Sequence, residues 1–522
     1  MAAAERTFMS KLIYRVISAT GALGSGFSHE AFDKAIVGQV DAIIANAGST
    51  ATDPVHLAKG TSEFSRESIA GELRHILAAG LRLGCPVVIG NCGSAGGTRN
   101  LKTTTSIARS VLDELAPVAM KVAIIDSRIA TETVVREFRN GALLATGPVP
   151  ELSAEVLRDS TIVAQMGVHP IIAALQGGAG LILTGRCAGA ALYAADMIQR
   201  GIDPGLAYHA GHILKSGTIA CEGGSESGCL AGEIHDDGAV SFTSFAPDAR
   251  VTAYSIASHV LYRESHPQLQ LYPEGALVLS DTGYFSAKSG RAGFRGSAFH
   301  RSGNVYPRSV KLEGAVPVDD GEGANWSVCH LLLNDDIIRS ELFPIYYFEA
   351  SADRWESVGT EWPRYFDIGG PMVSNAVDGR TLSLIADVPP AGAVTGLSSL
   401  DTMAAVRGDT VGINRLTFDI LFDSSEAYEQ ALLSNVFHKA NVAALLGVPE
   451  HRIVGSFFAD SCRAIKITLN SAKLTTSGDD DPESTAHYCA ILAGIRIPIH
   501  ANAPAETPGL AHAEPSCSRT SR

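Results

Sequence analysis

Several short segments carry side chains that could hold a small anion and move a proton beside it. Gly21, Gly24 and Gly26 lie in a turn between an apolar run and a helical stretch. Backbone N–H groups at a helix start, here those of Gly24 and Gly26, can hold a carboxylate or phosphate, and such glycines also serve tight-turn packing. The spacing is G-x-x-G-x-G, which is not the dinucleotide fingerprint G-x-G-x-x-G. In the stretch 46–53, Asn46, Ser49, Thr50 and Asp53 can bind a ligand, or the hydroxyls and the acid can cap a helix. The stretch 90–97 has four glycines in eight residues and adds Asn91, Gly93 and Ser94 as polar handles. Its Cys92 could act as a nucleophile only with a stabilised thiolate, and no His partner is identifiable. Arg186 directly follows an apolar run, where a guanidinium can grip a carboxylate or phosphate in two places or pair with an acid structurally. His209, His259, Asp53 and Asp126 are the candidate proton carriers, with a satisfied structural role as the alternative for each His. His209 and His212 would share a helical face, but no third metal ligand can be assigned.

Positioning these groups at one place requires a particular fold. Apolar runs at 12–19, 41–45, 86–90, 121–125 and 181–184 read as strands, and 29–40, 68–83, 101–115 and 161–175 read as helices. Repeated strand-then-helix order argues for an α/β domain with a mainly parallel sheet. Ligands in such sheets sit beyond the carboxyl ends of the strands, where every Gly-rich segment falls. Residues 12–388 are expected to form this domain, with 300–388 irregular. A small α+β domain is expected over 397–500 and a disordered tail over 503–522.

Bulk properties narrow the function classes. A chain of 522 residues suggests two or three domains. The formal charge is −14 and no basic run stands out, which argues against nucleic acid as a partner. Nine Cys without a CxxC pair read as reduced thiols. No apolar stretch approaches the ~18–20 residues that span a bilayer, and no leader pattern is present, so a cytoplasmic protein without a membrane partner is expected. No cofactor and no metal are expected, and homo-oligomerisation is.

The motif set resembles the acyclic terpene utilisation (AtuA) family. The resemblance runs in chain order through 17–28, 46–54, Phe64-Ser65-Arg66, 90–97, Gln165-Met166-Gly167, Gly185-Arg186, 208–217 and 255–262. Residues 416–420, Tyr428, 447–449 and Ala464-Ile465-Lys466 are similar to a small ferredoxin-like or unknown-function domain that accompanies such proteins. The resemblance implies catabolism of acyclic terpenes through acyl-CoA intermediates and, in relatives, breakdown of branched or polycarboxylic acids. It implies a small anionic organic acid or acyl-CoA as ligand and a lyase or hydratase step. An isomerase or cyclase of specialised metabolism, and a non-catalytic ligand-binding subunit of a complex, are the alternatives. The chain departs from the family's pattern at Asn46 and Gly189, where members often carry Asp, and at Lys215-Ser216, where they often carry Glu-Cys.

Overall fold

The computed structural model describes residues 10–48, 54–116, 119–149, 151–287, 290–303, 307–318, 323–351, 354–370, 372, 394–412, 414–471 and 485–500. The expected tail at 503–522 lies outside them. Among the described residues, no helix is long and apolar enough to cross a membrane.

Seven strands come first in the chain: β1 (Leu12–Ser18), β2 (Ala42–Asn46), β3 (Val87–Gly90), β4 (Met120–Ile125), β5 (Leu143–Ala145), β6 (Thr161–Ala164) and β7 (Leu181–Thr184). Five of them stand side by side in the order β1-β2-β3-β7-β4, all parallel. Their side chains alternate between two faces. Val16, Ile44, Val88 and Ile182 pack into one buried cluster, and Ile17, Ile43, Ile89 and Leu183 into another. Both faces are covered, so the runs are mostly apolar, with Arg15 and Lys121 the charged exceptions. The whole sheet has eleven strands, because antiparallel strands extend it on both sides. The expected mainly parallel sheet is therefore a mixed sheet with a parallel centre.

Two local expectations change. Residues 161–175 are not one helix: β6 ends at Ala164, and a helix covers Val168–Gln176. The β-branched Thr161, Ile162 and Val163 pair antiparallel with the strand Val310–Pro317, so tertiary pairing decides their conformation. The irregular region after residue 300 is also ordered in large part. It supplies Val310–Pro317 and Ala324–Leu332 to a four-stranded sheet, and Ile345–Ser351 to the main sheet beside β4.

A C-terminal unit has its own core, including Phe418, Phe422, Ile465 and Ile467. Its four-stranded antiparallel sheet runs Ala404–Val411, Arg415–Phe422, Ala464–Asn470, Ile453–Ala459 in spatial order. This unit grips the segment 261–266 of the larger unit. The fully buried Lys466 donates to the Leu261 carbonyl at 2.8 Å and to Asp419 at 2.7 Å. Thr468 donates to the Ser265 carbonyl at 2.7 Å, and Arg263 lies 3.4 Å from Asp409.

The first Gly-rich turn serves the fold. Gly24 and Gly26 adopt φ of 105° and 90°, which favours glycine. Their N–H groups donate to the two oxygens of Glu72 at 2.7 and 2.6 Å. Glu72 projects from the helix Arg66–Leu83 and is buried. Burial pushes its carboxyl up, and the two N–H groups oppose that shift. The anion held by this turn is thus one of the chain's own carboxylates. Glu72→Ala leaves both donors without that acceptor and is expected to destabilise the protein by about 1–3 kcal/mol. Chemical denaturation measures this as a lower midpoint, and an unchanged midpoint would show that Glu72 does not hold the turn.

Candidate functional site

Adjacent parallel strands bring their carboxyl-end loops together. A cavity of about 1280 Å³ opens there, lined by Gly21, Asn46, Asn91, Arg186 and Lys215 from the large unit. The segment 262–266 and residues of the C-terminal unit, Arg415 among them, complete its wall.

A continuous polar chain crosses the cavity wall. Asn91 Nδ2 donates to Asn46 Oδ1 at 2.9 Å. Asn91 Oδ1 accepts from Arg186 Nη1 at 3.1 Å and from the Cys187 N–H at 2.9 Å. Arg186 Nε donates to Glu313 Oε2 at 2.6 Å, and Lys311 Nζ donates to Glu313 Oε1 at 2.7 Å. The backbone of Arg186 is anchored too, its N–H donating to Ser127 Oγ at 2.8 Å. Burial alone would raise the Glu313 carboxyl, but the Arg186 guanidinium and the Lys311 ammonium outweigh it and hold the group well below the usual carboxylate range. Burial would lower Lys311, and the Glu313 carboxylate overcomes that and raises it. Two cations therefore share one carboxylate, and a net positive charge faces the cavity.

A second charged pair stands nearby. Lys215 Nζ donates to Glu264 Oε1 at 3.1 Å. The lysine stem packs over Gly189, where an added Cβ would lie 3.1 Å from Lys215 Cδ. The absence of a side chain at Gly189 thus makes room for Lys215. His212 Nδ1 lies 3.4 Å from the same carboxylate oxygen.

The other sequence candidates fall elsewhere. Ser49, Thr50 and Asp53 lie outside the described residues. Gly93 and Ser94 do not line the cavity: the Gly93 carbonyl accepts from Asn100, and Ser94 Oγ accepts from the Glu63 N–H. Gly24 and Gly26 hold Glu72, as described. Asp126 accepts from Thr98 Oγ1 at 3.0 Å and from the Arg128 N–H at 3.0 Å, away from the cavity. His209 is fully buried, with Nδ1 2.7 Å from Ser297 Oγ and its ring stacked 3.7 Å from Phe294. His259 is buried against Tyr262. Neither histidine lines the cavity. Burial likewise pushes the Cys92 thiol far up, which removes its nucleophilic thiolate.

Sequence reasoning passed over Lys311, Glu313, Glu264 and Arg415, and marked Lys215 only as a departure from the family's pattern. One signal was available. Lys311 and Glu313 alternate with Val310 and Leu312, which puts both charges on one face of a strand.

Burial pushes His209 down to about 3 and holds His212 and His259 well below the usual imidazole value. The unfolded chain takes up protons at these positions near pH ~6.5, and the folded chain does not. Their stabilising effect is therefore complete above that pH and is lost as pH falls below it. Each imidazole should weaken stability by about 1.4 kcal/mol per pH unit on the acid side. Denaturant midpoints measured from about pH 7.5 to about pH 5 should fall less steeply for His209→Gln than for the parent. Equal slopes would show that His209 is protonated in the folded state.

Comparison with known proteins agrees with this division of the chain. Residues 14–302 match the model of the acyclic terpene utilisation family protein AtuA, and residues 400–493 match a domain of unknown function, DUF4387. No curated protein and no solved structure matches. The cavity is lined from both matched segments. With more than half of its length covered by the first model, the chain belongs to the acyclic terpene utilisation AtuA family.

Proposed function

We propose that this chain is an enzyme that adds or removes water, or cleaves a C–C bond, next to a carboxyl or thioester group bound in the cavity. The family's role in acyclic terpene utilisation points to a terpenoid or branched acid, free or as its acyl-CoA. One observation carries the reading: Arg186 and Lys311 converge on a single buried carboxylate, at the carboxyl ends of parallel strands. A positive excess fixed in place there stabilises a bound carboxylate, and it stabilises enolate charge more strongly as that charge develops.

The proton chemistry is assigned to Lys215 and Glu264. In a dehydration, the Glu264 carboxylate accepts the proton on the carbon next to the carboxyl. The Lys215 ammonium protonates the departing hydroxyl, which leaves as water. Both groups line the cavity, which His209, His259 and Asp126 do not. The same parts can serve an isomerase.

A second reading has its own support. Asn46, Gly189, Lys215 and Ser216, the positions where the chain departs from the resemblance, all line this cavity. Replacing acids there removes proton acceptors and makes the wall more positive. Such a change favours anion binding over turnover, as in a ligand-binding subunit.

One experiment separates the readings. The purified protein is offered branched carboxylic acids and their CoA thioesters, with turnover followed by mass spectrometry and binding by thermal shift. Arg186→Met is expected to weaken binding at least about tenfold. Lys215→Met is expected to retain binding and lose about a hundredfold or more in kcat. Binding by the parent without turnover selects the second reading, and neither binding nor turnover rejects both.

A further inference from the structure

Cations on the cavity wall differ in how they are neutralised. Arg186 and Lys311 share Glu313, Lys215 has Glu264, and Arg263 has Asp409. Arg415, at the start of a central strand in the C-terminal unit, makes no ion pair among the described residues. Its Nη1 donates to Ser265 Oγ and its Nη2 to the Thr146 carbonyl, both at 2.9 Å, and both acceptors are neutral. Among the described residues its Nε is buried without a partner. Burial also weakens its hold on the proton. Arg415 is part-buried at the cavity wall, so its guanidinium faces the cavity with neutral acceptors and, among the described residues, no counter-charge.

The preceding residue repeats the pattern independently. Asn414 is 3% exposed, lines the same cavity, and has a buried Nδ2 without an acceptor among the described residues. Unsatisfied buried donors are rare in folded proteins, because each forfeits its hydration without compensation. Here two donors of that kind stand on consecutive residues, one of them charged, at the wall of one cavity. This wall is contiguous with the first cation pair: an added Cβ at Gly412 would lie 3.3 Å from Lys311 Nζ.

We propose that Asn414 and Arg415 form a second anion subsite, supplied by the C-terminal unit, which takes a carboxylate or phosphate at the far end of a ligand anchored on Arg186 and Lys311. The ligand class is then an organic acid with two anionic groups separated by a carbon chain. The inference rests on the preceding reading for its first anchor, but requires no turnover. The cavity volume of about 1280 Å³ suits a two-ended ligand, since ordinary small-molecule pockets run to roughly 300–1,000 Å³. The arrangement also gives the C-terminal unit a task in recognition. It closes the cavity with a charge that the large unit does not provide.

Titration calorimetry on the full chain tests this with three kinds of probe: straight-chain monocarboxylates, dicarboxylates of matching length, and inorganic phosphate. The parent is expected to bind the dicarboxylate that spans the two subsites about ten- to a hundredfold more tightly than its monocarboxylate counterpart. Arg415→Gln should abolish that advantage and leave monocarboxylate affinity unchanged. Asn414→Asp, which keeps Arg415 and its contacts, should weaken the dicarboxylate by placing a like charge beside it. Arg186→Met should weaken both classes. Phosphate binding that is lost in Arg415→Gln but kept in Arg186→Met would identify a phosphate-bearing tail as the far group. In either form, loss confined to the second anion supports the subsite. A dicarboxylate advantage that survives both Arg415→Gln and Asn414→Asp, or a parent that shows no such advantage and no Arg415-dependent phosphate binding, overturns it. Absence of turnover with the advantage intact would fail the enzymatic reading and leave the subsite standing.

Discussion

Glu313 is the constraint on which the site depends. Its side chain is about 1% exposed, and two cations that reach it from different elements hold it ionised against the effect of burial. Either cation alone would neutralise it, and together they leave a positive remainder directed at the cavity. Asn91 keeps that remainder available. As a neutral amide it orients Arg186 and ties it to β2 through Asn46 without adding a negative charge. A carboxylate in place of Asn46 would put an acid at the end of this chain and reduce the positive excess. The amides therefore fix the guanidinium in direction while sparing its charge.

The second pair depends on how the two units dock. Glu264 sits in the segment 261–266, and the C-terminal unit holds that segment on both sides of it, at Leu261 and Ser265. The Lys466 that reaches Leu261 is fully buried, so its charge must be met by Asp419 and the carbonyl together. Docking and the position of the Glu264 carboxylate are thus one structural problem. Lys215 is placed by a different feature, since its stem packs closely over Gly189, where a side chain would crowd it. The two partners of this ion pair are set by separate packing decisions, one within the large unit and one between units.

The centre of the fold was legible because its strands are buried on both faces. A strand of that kind reads as a largely apolar run, and β1, β2, β3, β4 and β7 all do, with Arg15 and Lys121 the charged exceptions in β1 and β4. The antiparallel strands were less legible, because a strand such as Val310–Pro317, though mostly buried, carries Lys311 and Glu313 between its apolar residues. The stretch 161–175 was misread for a related reason: a short β-branched strand and an apolar helix follow one another with little polar punctuation. At the site, Arg186, Asn91 and Asn46 could be recognised by their place after strands. The occupant of the Gly24 and Gly26 turn could not, because Glu72 on a helix looks like a solvent-facing charge until its packing is known. His209 and His259 have the right chemistry by type, and only burial removes it.

An anion approaching this protein meets a formal charge of −14. That field does not decide binding, because exposed charges are screened over about 8 Å at physiological salt. The charges on the cavity wall are different. Glu313 is shut away from solvent, and Arg186 nearly so, where screening by ions is weak and each charge acts at close range. A chain can therefore be acidic overall and still hold a local positive excess where its cations are gathered at one place. On the proposed anion-binding reading, selectivity comes from geometry. A ligand then gains from Arg186 and Lys311 only if its charged group reaches the gap beside Glu313, which already occupies the most favourable position between them. In that reading Glu313 is an internal competitor that sets the threshold an incoming carboxylate must exceed.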